Sequence, residues 1–240
     1  MNKLQIECKY GKFVVPDAHD LIATRLIENK LIDPWVADHI IHYATPDSCV
    51  IDVGAYIGDL LIPVALARTD LHFVAFEVNP EIADLLDENL RLNKVSDRTT
   101  VYRKAVMDGT SPTVCFPVPD GKISGGINYA AFGVDPARKD GLIVQAVSLD
   151  SVTYEQSVSV IKIDAQGADL DVLRGSKGII RRYKPAVLLE YENSVTAVKD
   201  GKAYTPFSRD WNEYQACIDE IGYYVAGKEW ANFLLLPGRG

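Results

Sequence analysis

Val50-Ile51-Asp52-Val53-Gly54-Ala55-Tyr56-Ile57-Gly58-Asp59 reads as a buried strand that passes through a turn with two glycines four apart and enters a helix. A short β-branched apolar run bounded by glycine is the pattern of a strand covered on both faces. Glycine lets the backbone approach a ligand closely, and the first N–H groups of the following helix form a polar cradle. The spacing is Gly-x-x-x-Gly, not the Gly-x-Gly-x-x-Gly that wraps a dinucleotide pyrophosphate. That discourages a dehydrogenase and suits a ligand carrying an amino-acid carboxylate in place of a phosphate bridge. Pro63 is compatible with a helix beginning near Leu60, because proline is accepted in a first helical turn.

Outward from this stretch the texture repeats. Apolar runs at 49–53, 71–76, 99–106, 158–163 and 186–189 alternate with amphipathic segments at 59–67, 81–93, 168–173 and 178–183. That order builds a parallel sheet with crossover helices. A helix at 211–221 precedes two strands, 223–226 and 233–236, close enough to pair as an antiparallel hairpin at the sheet edge. Ahead of the repeat, 4–15 alternates about Lys9-Tyr10-Gly11-Lys12 as a hairpin, and 21–29 and 35–43 read as helices. Two more β-like runs, 113–118 and 142–149, flank a glycine-rich insertion. The expected fold class is α/β. Residues 47–240 form one domain on a mostly parallel sheet, and residues 1–46 form a small cap of a hairpin and two helices.

Composition agrees. The 240 residues hold 25 Lys+Arg against 33 Asp+Glu, a net charge of −8, with 48% apolar and 24% charged residues. Those fractions exclude disordered and collagen-like classes. A pI near 5.0 argues against a sequence-independent grip on phosphates, which needs a basic face; RNA stays open as a substrate but not as a tightly held partner. The longest apolar run, 60–67, is far short of the ~20 residues that span a bilayer, and the first residues lack the apolar core of an export signal. A cytoplasmic protein with no membrane partner is expected. Cys8, Cys49, Cys115 and Cys217 are scattered and read as small packing residues, not as disulfides or zinc ligands.

Several acids stand where chemistry is done. Phe73-Val74-Ala75-Phe76-Glu77 is an apolar strand ending in an acid nineteen residues beyond Gly58. In nucleoside-binding α/β folds such an acid accepts from both ribose hydroxyls; the alternative is a dipole partner for the next helix. Asp108 follows the third run, where an acid can accept from an exocyclic amino group while Val106 packs on the ring; the alternative is an ordinary Asp-Gly turn. With Asp52, Gly54, Tyr56 and Gly58 these make the candidate cofactor set. Asp164 and Glu190 end two successive runs, and ligands of open α/β sheets lie at the C-terminal strand ends. They are candidate bases or acceptor-orienting groups, or else caps of the segments that follow. Asp164, Glu190 or Glu192, and Asn193 also form an oxygen set that Mg²⁺ accepts, although a carboxylate pair can equally share a proton or hold a sugar's hydroxyls. His19, His39, His42 and His72 lie away from the strand ends. Two long segments read as lids that select the acceptor: 120–141, with Ser124, Gly125, Tyr129 and Phe132, and 193–210, with Tyr204, Phe207 and Arg209. Arg174, Lys177, Arg181, Arg182 and Lys184 read as a solvated helix face.

In this order the pieces resemble the class I S-adenosylmethionine-dependent methyltransferases, and among them the FkbM family. The resemblance is closest at Ile161-Lys162-Ile163-Asp164-Ala165-Gln166-Gly167-Ala168-Asp169 and on through Val172-Leu173-Arg174-Gly175. There the family runs Ile-Lys-Ile-Asp-x-Glu-Gly-x-Glu, with Leu-Arg-Gly after it. The Tyr10-Gly11 hairpin, the Asp52 to Gly58 turn, Phe76-Glu77 and 185–190 also correspond, so the resemblance spans about residues 8 to 192. It implies a Rossmann-like class I methyltransferase sheet, S-adenosylmethionine as cofactor, and methylation of a small-molecule hydroxyl on a sugar or polyketide; the acidic pI adds the expectation of no nucleic acid partner. Gln166 and Asp169 stand where the family has Glu, and Tyr56 where it has Asn. An amide cannot take a proton, so no base is expected at Gln166. An RNA methyltransferase and a nucleoside-binding module without activity are the other readings.

Overall fold

Alternating apolar runs and amphipathic helices fold as their spacing demands, into a seven-stranded sheet covered on both faces. The computed structural model describes residues 2–117, 122–123, 126–134, 140–191, 197–199, 202–204 and 210–238. β1 (Leu4–Cys8) and β2 (Gly11–Val15) precede α1 (Leu21–Ile27) and α2 (Pro34–Tyr43). Next come β3 (Cys49–Val53), α3 (Leu61–Ala67), β4 (His72–Phe76), α4 (Pro80–Leu92) and β5 (Thr99–Tyr102). Five strands follow outside the central sheet: β6 (Ala105–Val106), β7 (Thr113–Phe116), β8 (Lys122–Ile123), β9 (Gly126–Ile127) and β10 (Leu142–Val147). Alternation resumes with β11 (Val158–Ile163), α5 (Asp169–Arg174), α6 (Lys177–Tyr183) and β12 (Ala186–Glu190). β13 (Ala197–Lys199), β14 (Lys202–Tyr204), α7 (Trp211–Glu220), β15 (Tyr223–Glu229) and β16 (Asn232–Pro237) complete the chain.

The sheet order is β15-β16-β12-β11-β3-β4-β5. β3, β4, β5, β11 and β12 run parallel, and β16 is antiparallel to both β12 and β15. The expected hairpin therefore sits at one edge. Side chains alternate between faces along each strand. Ile51, Val53, Ile161, Ile163, Val187 and Leu189 pack with Leu170 of α5, Ile179 of α6 and Ile218 of α7. Val50, Val160, Ala186, Leu188 and Leu234 pack with Ile22 of α1, Val36 of α2, Leu61 of α3 and Leu85 of α4, together with Phe13 of β2. The N-terminal elements thus lie over the same sheet face as α3 and α4. Asn89 of α4 fixes the hairpin there: its Oδ1 accepts from the Val14 N–H at 2.6 Å, and its Nδ2 donates to the Val14 and Ile57 carbonyls at 3.1 and 3.0 Å.

Pro63 falls in the first turn of α3, as its tolerance requires. The expected strand 99–106 is broken. β5 pairs with β4 only as far as Tyr102, and Ala105–Val106 pairs instead with β10 in a separate three-stranded sheet. Between them Arg103 turns outward to ion-pair with Asp84 and Asp87 of α4 at 2.7 and 2.6 Å. The basic cluster on α5 and α6 faces α7: Arg174 pairs with Glu213 at 3.0 Å, and Arg181 with Glu220 at 3.3 Å. Of the two expected lids, Ser124, Gly125, Phe207 and Arg209 lie outside the described residues, as do Glu192 and Asn193.

Candidate active site

Strand register assembles the site. Lys162 of β11 lies opposite Asp52 of β3, and because the side-chain period is two, both share the face of Val50 and Val160. One step further on, past the last paired residues Ile163 and Leu189, Asp164 and Glu190 lie side by side, and Glu190 lies opposite Asn232 of β16. A polar row therefore crosses the C-terminal ends of the strands, beneath the N-terminal elements.

Lys162 holds the row together. Its buried ammonium ion-pairs with Asp52 at 3.2 Å and Asp164 at 3.3 Å and donates to the Gly54 carbonyl at 3.2 Å. Burial works against its charge, but Asp52, Asp164 and Asp59 outweigh burial and raise its pKa. Asp52 is pushed up by burial, with Lys162 opposing. Burial would also raise Asp164, yet Lys162 and the hydrogen bonds from Glu190 and Gln166 hold it below the ordinary carboxylate value. Glu190 goes the other way: burial first, then the Asp164 charge, raise it well above its ordinary value. The two shifts run in opposite directions, so of the pair Asp164 is the more readily ionised and Glu190 the more readily protonated.

The segment after β11 is built to serve this pair. Gln166, at φ +48°, directs its Nε2 to Asp164 Oδ1 at 2.7 Å and to Glu190 Oε2 at 3.1 Å. Asp169 closes the loop by accepting from the Ala165 N–H at 2.6 Å and the Gly167 N–H at 3.0 Å, and burial pushes its pKa up to about 6.

A cavity of about 410 Å³ opens beside the row. One wall is the turn after β3 with Glu77. Glu77 accepts from the Tyr56 N–H at 2.9 Å and the Asn79 N–H at 2.8 Å, joining the turns that follow β3 and β4. Burial pushes its pKa up to about 7 against those two hydrogen bonds. Lys104, Ala105 and Val106, the segment Asn128 to Val134, and Leu21, Ile22, Leu31, Ile32 and Asp33 of the N-terminal elements also line the cavity.

Of the expected site residues, Gly54, Tyr56, Glu77, Val106, Asp164 and Glu190 line this one cavity. Asp52 lies behind it, in contact through Lys162. Asp108 does not line it: its carboxylate is half-exposed and accepts from the N–H and Oγ1 of Thr110 at 2.9 and 2.7 Å, so the Asp-Gly turn reading applies. The glycines serve packing more than close ligand approach. A Cβ on Gly54 would lie 1.8 Å from the Asp164 carbonyl, and one on Gly58 3.0 Å from Ile62 and Leu86, both at positive φ. Among the described residues no group of three or more His, Cys, Asp or Glu is placed to hold a metal ion. The amide of Gln166 fills the position between Asp164 and Glu190 that the expected Mg²⁺ set would share.

Three cavity residues were not singled out from sequence. Lys162 had a signal, a cation inside the apolar run Ile161-Lys162-Ile163. Asp59 reads as an ordinary acid at a helix start, yet it lines the cavity and burial pushes its pKa up to about 7. Asp33 reads as the cap of α2 but makes no capping hydrogen bond.

A family model, the methyltransferase FkbM domain, matches residues 52–223. Over 148 residues the chain is 29% identical to the tRNA(Phe) (4-demethylwyosine(37)-C(7)) aminocarboxypropyltransferase of Pyrococcus horikoshii, covering 60% of this chain and 52% of that protein. The crystal structure of a methyltransferase FkbM from Methylobacillus flagellatus KT superposes with a TM-score of 0.53 at 17% identity, covering 80% of this chain and 44% of that one. A protein of Clostridium thermocellum provisionally described as an rRNA methylase superposes with a TM-score of 0.51 at 7% identity, covering 86% and 96%. The chain spans about half the length of the curated relative and of the FkbM structure. At these identities the structural matches establish the fold, a Rossmann-like class I methyltransferase sheet.

Proposed function

The chain belongs to the FkbM methyltransferase family, and we propose that it moves a methyl group from S-adenosylmethionine to a hydroxyl of a small molecule of the sugar class. The observation that carries this reading is the Asp164–Gln166–Glu190 array, which faces the same cavity as Glu77 from the adjoining strand ends. In this reading residues 1–46 are the cap over the acceptor side, and residues 47–240 are the cofactor-binding domain.

The residues fit the cofactor. Each Glu77 oxygen accepts one backbone N–H and keeps capacity for a ribose hydroxyl. Val106 and Ala105 offer an apolar wall to the base, and the Gly54 to Tyr56 turn leads on toward Asp59. When bound, S-adenosylmethionine supplies a methyl group on a positively charged sulfur. The Asp164–Glu190 pair, holding one proton between two carboxyls, has room for a second, and the ionised Asp164 takes it from the acceptor hydroxyl as the oxygen attacks. A placed base is worth about 10²- to 10⁴-fold, and the larger part comes from orientation. Gln166 fixes the direction of both carboxyls, and Lys162 keeps Asp164 charged.

Transfer to RNA is a second reading, supported by the 148-residue similarity to a tRNA-modifying enzyme. Against it stand the net charge of −8 and a cavity lined by Asp33, Asp59, Glu77, Asp164 and Glu190 against Lys104 and Lys162. Calorimetry with S-adenosylhomocysteine, then its release from S-adenosylmethionine over free glycosides and transfer RNA, tests the choice. Release with glycosides supports the proposal. Release with RNA alone overturns the acceptor, and binding with no release over any acceptor leaves an inactive module.

A further inference from the structure

Asp33 stands where a helix cap belongs and does not cap. It is the residue before Pro34 at the start of α2, at φ −120° and ψ 67°, and its side chain makes no hydrogen bond to the helix N–H groups. An acid in that position ordinarily accepts from the first turn. Here Asn232 Nδ2 donates to Asp33 Oδ1 at 3.0 Å, and Asp33 lines the cavity. Asn232 is the ladder partner of Glu190. The row across the strand ends thus runs Asp164, Glu190, Asn232, and Asp33 is its next member, delivered from the N-terminal cap.

That position has a chemical consequence. In the proposed reading Glu77 and Val106 recognise adenosine, and Asp33, joined through Asn232 to Glu190, flanks the Asp164–Glu190 side of the cavity. One Asp33 oxygen is occupied by Asn232, which leaves the other as an acceptor. Burial first, then the charges of Asp164 and Glu229, raise the Asp33 pKa against Lys162 and the Asn232 hydrogen bond, so acids outnumber cations around it and a hydrogen-bond donor is favoured over an anion. The Lys162 ammonium is already shared by Asp52 and Asp164, which among the described residues leaves Lys104 as the other cation lining the cavity against its five acids.

Resting on the proposed methyl transfer to a hydroxyl, we infer that Asp33 reads a second hydrogen-bond donor on the acceptor. The acceptor class is then a polyol, neutral or aminated, with no phosphate beside the reacting hydroxyl. Asn232 sets the direction of the Asp33 carboxylate and acts as a positioning residue.

The test measures S-adenosylhomocysteine release over methyl hexopyranosides, their monodeoxy counterparts, 2-amino sugars, hexose phosphates and transfer RNA, for wild type, Asp33→Asn and Asn232→Ala. Saturation-transfer NMR on the S-adenosylhomocysteine-loaded protein reads glycoside binding separately from turnover. Expected is turnover of a glycoside or amino sugar, with the matching phosphate at least about tenfold poorer in kcat/KM. Asp33→Asn should raise KM about tenfold with kcat and cofactor affinity near wild type, and one monodeoxy acceptor should show that penalty in wild type but not in the variant, the range of one hydrogen bond to a charged group. Preference for phosphates or RNA, no turnover of any glycoside, or an equal effect of Asp33→Asn on hydroxy and deoxy acceptors overturns the inference. Failure of S-adenosylhomocysteine to bind, or to be released with any acceptor, would instead overturn the methyltransferase reading itself.

Discussion

Glu77 links fold and cofactor, so replacing it should be read in two assays at once. Its carboxylate joins two turns through the Tyr56 and Asn79 N–H groups at 2.9 and 2.8 Å. Burial pushes its pKa from 4.5 to about 7, which corresponds to roughly 3 kcal/mol disfavouring the ionised form. The sign follows from linkage: a raised acid pKa gives stability that is complete below the unfolded value and is lost as pH rises through the folded one. Wild type should therefore lose roughly 3 kcal/mol more than Glu77→Gln between pH 4.5 and pH 8 in denaturant unfolding. Asp59 and Asp169 titrate in the same window in both proteins and largely cancel from the difference. Glu77→Ala leaves two buried N–H groups without their acceptor, at about 1–3 kcal/mol each, so it should be less stable than Glu77→Gln at every pH. Both variants should bind S-adenosylhomocysteine about 10- to 150-fold more weakly by calorimetry, the value of hydrogen bonds to a charged group. Parallel stability–pH curves for wild type and Glu77→Gln, with unchanged affinity, would refute the reasoning.

Asp164→Asn keeps the shape at the strand end but removes the proton acceptor; kcat should fall about 10²- to 10⁴-fold with cofactor affinity near wild type, and near-normal turnover moves the base to Glu190. Gln166→Glu replaces two donated hydrogen bonds with a third carboxyl beside Asp164 and Glu190 and should cost about 1–3 kcal/mol in unfolding experiments. Because the Gln166 amide already lies between those carboxyls, EDTA should leave wild-type turnover unchanged, and EDTA-sensitive turnover counts against that geometry. Asp59 lines the cavity and follows the Gly54 to Tyr56 turn in the chain, where the proposed reading takes the amino-acid end of the cofactor. Asp59→Asn should weaken S-adenosylhomocysteine about tenfold and leave 5′-methylthioadenosine, which lacks that end, unaffected; equal weakening of both ligands rejects the assignment.

The fold was legible because its signals are local and repeated. Each apolar run of the central sheet is short and β-branched, and each crossover has its own helical spacing. The run 99–106 misled because β5 is the outermost parallel strand: past Tyr102 the ladder ends, and apolarity alone does not say that Ala105–Val106 leaves to pair with β10. Asp108 misled for a related reason. Its distance along the chain suits an adenine contact, but the chain has already left the sheet, and Thr110 is the nearest donor. Asp33 could not be found from sequence at all, because Asp-Pro before a helix is the ordinary pattern of a cap and its partner Asn232 lies 199 residues away.

Three departures from local rules border the one cavity. Lys162 is a cation in a buried strand, Asp33 is an acid before a helix that forgoes its cap, and Tyr56 is a bulky residue held at φ +49° in the turn whose N–H Glu77 accepts. Each is unfavourable taken alone, and a left-handed bulky residue by itself costs about 1–3 kcal/mol. Asp20, Asn79 and Asp210, by contrast, cap their helices, and Pro34 and Pro80 sit at helix starts. Three such conflicts meeting at one cavity mark residues kept for a task that the fold does not need. What they share is charge. The single shared ammonium of Lys162 favours the ionised form of Asp164 while burial and the Asp164 charge favour the protonated form of Glu190, which is the asymmetry a proton-accepting pair needs among so many acids.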